Sequence, residues 1–499
     1  MEETEMLVGA IDQGTATTKF YLFNEQSEIV GSASRDHEQY FPEPGHAEHD
    51  PMEIWENTQQ VMLDVLESTG TDASDINALG ITNQRETTIV WDPETGEPVY
   101  NAIVWQDKRP MDRIDQLVED GWEDTIRETT GLEPDPFFSA GEIEWILDNV
   151  EGARERAREG ALIFGNIDTW LAWNLTGAHV TDVTNASRTM LFDIDGLEWD
   201  DTLLEEFGVP REMLPEVQPS INDDYHGTTD PDGFLGAEIP VAGMLGDQQA
   251  ALFGQARFEP GEVKHTVGTS CVMQMNIGTE VILSDHGANT TLGYQRSGED
   301  PHYALEGQIF TGGQALAWLE EIGVIDDVAE SAEMARSVES TDGVFFVPSF
   351  QGLATPYWNP AARGTMFGLE RGTSREVIVR AALDGIAYRT RDAIEALRAD
   401  SGLDIASIRV DGGMSKNGYL CQRLADMMSV DVDRGEILET TALGVAYAAG
   451  LAAGVWPDME TIRDRWRLSE RFERDVDPEE MDAQYERWQE AVELSQQWS

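Results

Sequence analysis

Asp247 stands where an apolar run, 239–245, passes through Gly246 into the alanine-rich stretch Gln248-Gln249-Ala250-Ala251-Leu252-Phe253-Gly254. A strand that turns into a helix leaves the first helical N–H groups free, and an acid at that point satisfies them. The same placement holds a carboxylate at a cleft mouth, beside a helix N-terminus that favours phosphate. A carboxylate held there can take the proton of a hydroxyl while that hydroxyl attacks a phosphoryl group.

Two other stretches repeat one pattern about 250 residues apart. A short apolar strand over 7–11 runs into Asp12-Gln13-Gly14-Thr15-Ala16-Thr17-Thr18-Lys19, then a second strand over 20–23 and a third over 28–34. Further on, a strand over 262–268 turns at Gly268-Thr269-Ser270 into another over 271–275. A Gly-Thr turn between strands offers backbone N–H groups and hydroxyls to a phosphate. One such turn is commonplace, but two copies predict two similarly built domains facing one nucleotide, and they favour the chemical reading of Asp247. Lys19 lies on a strand and not at a helix start, so the first turn is not a Walker loop. Two further glycine-containing stretches, Thr311-Gly312-Gly313-Gln314 and Asp411-Gly412-Gly413-Met414-Ser415-Lys416-Asn417, each follow a strand and open a helix, where backbone can approach a ligand closely.

The elements that must position these groups are legible from periodicity. Ile54, Trp55, Val61, Met62, Val65 and Leu66 share one face of a helix over 51–66, and a long amphipathic helix is expected over 376–397. A strand over 76–81 leads into Thr82-Asn83-Gln84-Arg85-Glu86-Thr87-Thr88. This polar run is either a surface turn or a hydroxyl clamp, with the guanidinium donating and the carboxylate accepting. A strand over 101–105 precedes Gln106-Asp107-Lys108-Arg109, and Asp135-Pro136-Phe137-Phe138-Ser139 forms a rigid aromatic loop before a helix over 140–150. The two Phe residues also suit a core. His46 and His49 have no third ligand nearby in the sequence and read as loop histidines, not as a metal site.

The chain has 499 residues, with 95 acidic against 33 basic side chains and a formal charge of -62. This excludes a nucleic-acid binder held by a basic face. Lysine occurs only at Lys19, Lys108, Lys264 and Lys416. That balance resembles proteins kept in molar salt, where screening relieves self-repulsion. Cys271 and Cys421 make no disulfide framework and point to a reducing cytoplasm. The acidic N-terminus is the reverse of a signal peptide. The uncharged run 440–457 is alanine- and glycine-rich and reads as a buried helix, so no membrane insertion is expected. Three parts are expected: 1–258, 259–457, and an acidic helical cap over 458–499 carrying Trp466, Phe472, Trp488 and Trp498.

With these pieces assembled, the chain resembles the FGGY family of carbohydrate kinases almost end to end, and within it the members that act on glycerol. The resemblance is carried by Asp12-Gln13-Gly14-Thr15, Glu48-His49-Asp50-Pro51, Ile81-Thr82-Asn83-Gln84-Arg85-Glu86-Thr87-Thr88, Asn101-Ala102-Ile103-Val104-Trp105-Gln106, the Asp247 stretch through Gln255, and Asp411-Gly412-Gly413. It implies an α/β fold of two actin-like (ribonuclease-H-like) domains around a central nucleotide cleft. It implies ATP and Mg2+ as cofactors and glycerol as the acceptor. Asp247 is then the general base. Arg85, Glu86 and Gln248 hold the hydroxyls, with Trp105 and Phe137 against the carbons. Asp12 and Asp247 face the metal. Thr15, Thr17 and Thr269 contact the phosphates, Gly312, Gly413 and Asn417 line the adenosine end, and Ala16, Lys19 and Leu316 complete the nucleotide site. A homodimer or homotetramer is implied by analogy only.

Several positions depart from the family pattern. Phe137 replaces a tyrosine whose hydroxyl reaches the polyol, and one hydrogen bond is worth a net ~0.5–1.5 kcal/mol. Val272 replaces a phenylalanine, leaving room for a slightly larger polyol. Lys19 replaces an arginine and loses its fork. Ala16 and Leu316 replace polar residues. Acids at Asp230, Asp232 and Glu238 stand where some bacterial members bind a sugar bisphosphate, which implies no such inhibition here. Rival readings are a kinase for another polyol or ketose, and a nucleotide-binding scaffold on the same fold without transfer activity.

Overall fold

A computed structural model describes residues 6–498. Numbering only the strands of its two large sheets, the first comprises β1 (Leu7–Gln13), β2 (Thr17–Asn24), β3 (Ile29–Asp36), β4 (Ile76–Asn83), β5 (Gly227–Thr228) and β6 (Pro240–Gly246), in the order β5-β6-β4-β1-β2-β3. The second comprises β7 (Val263–Val267), β8 (Cys271–Gly278), β9 (Asn289–Tyr294), β10 (His302–Ile309), β11 (Ser407–Asp411), β12 (Asp431–Gly435) and β13 (Leu468–Phe472), in the order β9-β10-β8-β7-β11-β12-β13.

The two sheets are the same device. In each, the first strand pairs antiparallel with the second across the Gly-Thr turn and parallel with a later strand, β4 or β11. The next strand outward, β6 or β12, is also parallel, and the edge strand, β5 or β13, is antiparallel. On the other side β3 and β10 pair antiparallel with β2 and β8, and β9 is an addition to the second sheet alone. The duplicated turn in the sequence therefore marks a duplicated sheet.

The main helices are α1 (Pro51–Thr69), α2 (Ser139–Asn149), α3 (Ile167–Thr176), α4 (Asp247–Gly254), α5 (Gln314–Glu321), α6 (Arg375–Ser401), α7 (Gly418–Met428), α8 (Thr440–Ala452) and α9 (Pro478–Gln497). Local chemistry sets their ends. For α1, the Asp50 carboxylate accepts from Met52 N at 2.8 Å, Pro51 occupies the first turn, and Gly70 closes the helix in the left-handed region at φ 70°. The buried face, Ile54, Val61, Met62 and Val65, joins Phe20, Leu22, Leu79 and Ile81 of the sheet in one core.

Helix α8 belongs to the chain after the second domain's central strands, yet it packs on the first sheet. Val8, Ala10 and Ala78 share a core with Ala442, Val445, Ala446 and Ala449. It crosses α4 so closely that a Cβ at Gly444 would lie 1.8 Å from the Ala250 carbonyl oxygen, and one at Gly254 2.0 Å from that of Thr440. The two domains are thus joined through the helix that begins with Asp247.

Three expectations change. The strand foreseen over 101–105 is only Ala102–Ile103. The C-terminal stretch foreseen as a helical cap also contributes β13, which completes the edge of the second sheet. Its α9 is part of the core: Trp488 is fully buried, stacks on Tyr388 at 5.0 Å, and with Tyr485 donates to the Asp392 carboxylate. His49, foreseen in a loop, is buried in a two-residue strand with its ring edge-on to His37. Among the described residues no helix is long and apolar enough to cross a membrane.

Two stability predictions arise here. At -62 formal charges the surface repels itself. The Debye length is ~10 Å at 0.1 M salt and ~3 Å at 1 M, so the melting temperature should climb steeply between these concentrations and flatten above. A melting series in KCl checks this; a temperature independent of salt contradicts it. Asp168, fully buried in the first turn of α3, has its carboxyl pushed up to about 7, chiefly by burial and further by Asp182, against the Thr181 hydroxyl donated at 2.6 Å. Its folded value lies above its unfolded one, so the native state loses stability as pH rises from about 4 to about 7, at about 1.4 kcal/mol per unit. Asp168→Asn should therefore stabilise relative to wild type at pH 8 and do little at pH 4. Equal melting differences at both pH values would sink this.

Candidate active site

A cleft of about 410 Å³ opens between the domains. It brings together Thr15, Ala16, Arg85, Glu86, Trp105, Phe137, Asp247 and Gln248 from the first domain with Thr269 and Val272 from the second. Residues separated by up to about 250 positions thus converge on one cavity, as a surface-turn reading of 82–88 does not predict.

One side of the cleft is built on parallel strand ends. Asn83 of β4 pairs with Gly246 of β6, so Arg85 and Asp247 leave the sheet side by side. Arg85 Nε lies 3.3 Å from Asp247 Oδ1 and 3.8 Å from Glu86 Oε1. The backbone of Glu86 is left-handed at φ 64°, a strained conformation for a non-glycine residue. Its carbonyl is held there by Ser139 Oγ at 2.6 Å, Asn166 Nδ2 at 2.9 Å and Thr88 Oγ1 at 3.2 Å. Burial pushes the Glu86 carboxyl up, against the pull of Arg85 and of Arg188, whose Nε donates at 2.7 Å.

Asp247 combines both of its expected characters. One oxygen accepts from the free first-turn N–H of Gln248 at 2.7 Å, one residue inside the Gly246 N-cap; the other accepts from Gln248 Nε2 at 3.2 Å. Its side chain remains 31% exposed, so the carboxylate is open to a ligand. Trp105 donates its indole N–H to Thr15 Oγ1 at 2.9 Å and meets the Phe137 ring edge-on at 5.4 Å. The indole therefore ties the Phe137 side of the cleft to the Gly14-Thr15 turn.

On the other side, Gly14 N donates to Thr17 O and Gly268 N to Ser270 O, closing the two matching turns. The second turn is also tied to the start of α5, where Gly312 N and Gly313 N donate to Thr269 O and Gly268 O. Gly312 thus shapes the turn and does not itself line the cavity. Asp12 and Lys19 face each other across the β1–β2 pair. Burial pushes the Asp12 carboxyl up to about 6; Lys19 opposes this and Asp247 adds to it. Thr17 donates to Asp36 at 3.1 Å. Gly413 has open space where a Cβ would stand. Asn417 caps α7 through the N–H groups of Tyr419 and Leu420 and donates to Ser331 Oγ at 3.0 Å. Leu316 is fully buried among the core residues of the second domain, on the inner face of α5 with Ala315 and Leu319.

Sequence reasoning missed the charges beneath the cavity. Glu306, fully buried on β10, takes Arg85 through Nη1 at 2.6 Å and Nη2 at 3.2 Å, and Arg188 through Nη2 at 2.9 Å. Burial alone would push the Glu306 carboxyl up, but Arg188 and Arg85 outweigh it and hold it at about 2. Lys264, also fully buried, donates to Gln248 Oε1. A lone acid within the apolar strand 303–309 and one of only four lysines were the available signals.

The model of the FGGY family of carbohydrate kinases, N-terminal domain, matches residues 7–254, and that of the C-terminal domain matches 263–453. The chain belongs to the FGGY family of carbohydrate kinases. It is 56% identical to the glycerol kinase of Haloferax volcanii and 53% to that of Halobacterium salinarum, covering 99% of each chain. To the glycerol kinase of Caldanaerobacter subterraneus it is 50% identical, again over 99% of both. Among solved FGGY kinases, the glycerol kinase of Plasmodium falciparum with ADP superposes with a TM-score of 0.92 at 36% identity, over 98% of each chain. The xylulose kinase of Rhodospirillum rubrum shares the fold at a TM-score of 0.85 and 22% identity. The two-domain α/β architecture is therefore the family's, and the acidic composition accompanies similarity to proteins of halophiles.

Proposed function

We propose that this FGGY kinase transfers the γ-phosphoryl group of ATP to glycerol, giving sn-glycerol 3-phosphate, the entry step of glycerol catabolism in the cytoplasm. The observation that carries this is the convergence of Arg85, Glu86, Asp247 and Gln248 with Thr15 and Thr269 in the lining of one cleft.

Glycerol hydroxyls would donate to Glu86 and Asp247 and accept from Arg85 and Gln248, with Trp105 and Phe137 against the carbons. A primary alcohol is too weak an acid to ionise at neutral pH. In a loose phosphoryl-transfer transition state it need not do so early, and Asp247 has only to orient it and accept the proton late. The two Gly-Thr turns direct hydroxyls and backbone N–H groups at the phosphates. Asp12 and Asp247 suit Mg2+, which takes one or two carboxylates together with substrate phosphates and water. In support, burial pushes the Asp12 carboxyl up to about 6, with the Asp247 charge adding to it against Lys19, and a divalent cation would relieve that repulsion. The metal would neutralise charge developing between the phosphates. Alignment and domain closure supply the rest of the acceleration.

A second reading within the family, a kinase for a larger polyol or ketose, is favoured by the apolar Phe137 and Val272 in the lining. Phosphorus-31 NMR of the product tests the first reading. With ATP, magnesium and glycerol in molar KCl, a glycerol 3-phosphate resonance should grow as ATP is consumed. Inorganic phosphate as the only new phosphorus species beside ADP would reduce the protein to a nucleotide hydrolase.

A further inference from the structure

The two residues that hold the polyol face from below come from the other domain. Arg85 and Gln248 belong to the first domain, whereas Glu306 lies on β10 and Lys264 on β7 of the second. We propose that Glu306 and Lys264 are positioning residues that complete the polyol clamp across the domain boundary. This rests on the polyol-kinase reading given above.

Donor counting shows what each one does. Arg85 Nη1 spends both N–H bonds, one on Glu306 Oε2 at 2.6 Å and one on Gln249 Oε1 at 3.2 Å, and Nη2 spends one on Glu306 Oε1. The guanidinium plane is thereby fixed, and Nε with the remaining Nη2 N–H is left for the Asp247 and Glu86 side. Glu306 is itself held by Arg188, by Gln274 Nε2 at 2.8 Å and by Gln308 Nε2 at 3.0 Å, so it is a rigid anchor. Lys264 Nζ bonds Thr266 Oγ1 at 3.1 Å and Gln248 Oε1. An ammonium has no acceptor, so it fixes which end of the Gln248 amide it meets. The carbonyl faces Lys264, and Nε2 must face Asp247 Oδ2 and the cleft. Without the ammonium the amide is free to turn over and present an acceptor to the carboxylate. Both anchors act on substrate ligands and neither lines the cavity.

A purely structural ion pair would give a different signature. Removing it would lower stability and disturb both substrates together. A positioning role predicts a selective loss on the polyol side. The test uses Glu306→Gln and Lys264→Met in the full chain, assayed in molar KCl with magnesium-ATP. In each folded variant the KM for glycerol should rise about tenfold to one hundredfold, the range for misaligning one charged hydrogen bond, with the KM for ATP within about threefold of wild type. Should Glu306→Gln fail to fold, Glu306→Asp keeps the buried charge but withdraws it by one methylene, and is read in its place. A glycerol KM within about threefold of wild type, or equal rises for glycerol and ATP, overturns the proposal. Wild type in the same assay separates the two levels: if it phosphorylates another polyol, that polyol's KM is read, and if it phosphorylates none, the kinase reading itself falls and takes this inference with it.

Discussion

Asp247→Asn should keep the fold and nucleotide binding while losing phosphoryl transfer to glycerol by about 10²–10⁴-fold, the range for removing a positioned general base. The amide is nearly isosteric and retains one oxygen for the Gln248 backbone N–H, so the start of the helix is undisturbed. What disappears is the partly exposed carboxylate beside Arg85 and Gln248. Three measurements decide the outcome: kcat with glycerol, KM for ATP, and a melting curve in the same buffer. If kcat stays within about tenfold of wild type, proton acceptance is not the role of Asp247 and capping is sufficient. A loss confined to stability would lead to the same conclusion.

The largest expected effect on the fold comes from one methyl group. A Cβ added at Gly444 would stand 1.8 Å from the Ala250 carbonyl oxygen, 2.7 Å from its carbon and 2.8 Å from Gly254 N. All three are backbone atoms of α4, so no side chain can turn aside; the helices must separate. Overpacking of this kind costs about 1–3 kcal/mol and occasionally more, and here it also shifts the helix that carries Asp247. Gly444→Ala should therefore lower both melting temperature and kcat. Gly372→Ala is the control, since nothing lies within 4 Å of its added methyl. Equal melting temperatures for the two variants in molar KCl would show that the crossing is looser than described.

Much of this arrangement could be read from the sequence, for identifiable reasons. The Gly-Thr turns lie between strands with strong local signals, and local signals fix β1, β2, β7 and β8. From them the duplication of the sheets followed. Asp247, Arg85 and Glu86 were legible because polar clusters at strand ends stand out against apolar runs. Glu306 and Lys264 were not, because their partners lie 221 and 16 residues away and no periodicity relates them. The left-handed backbone of Glu86 was equally hidden, since three side-chain donors from α2, from the residue before α3 and from the local turn hold it. The burial of Leu316 was hidden as well, since the helical face it occupies points into the core.

The most direct test of the account is ADP release by wild type in about 2–3 M KCl, an ionic strength chosen for screening. The reactions contain magnesium-ATP with glycerol, erythritol, dihydroxyacetone, xylulose or ribulose, beside a blank without acceptor. The account predicts glycerol well ahead of the others and little release in the blank. Release as fast in the blank as with any acceptor would contradict it.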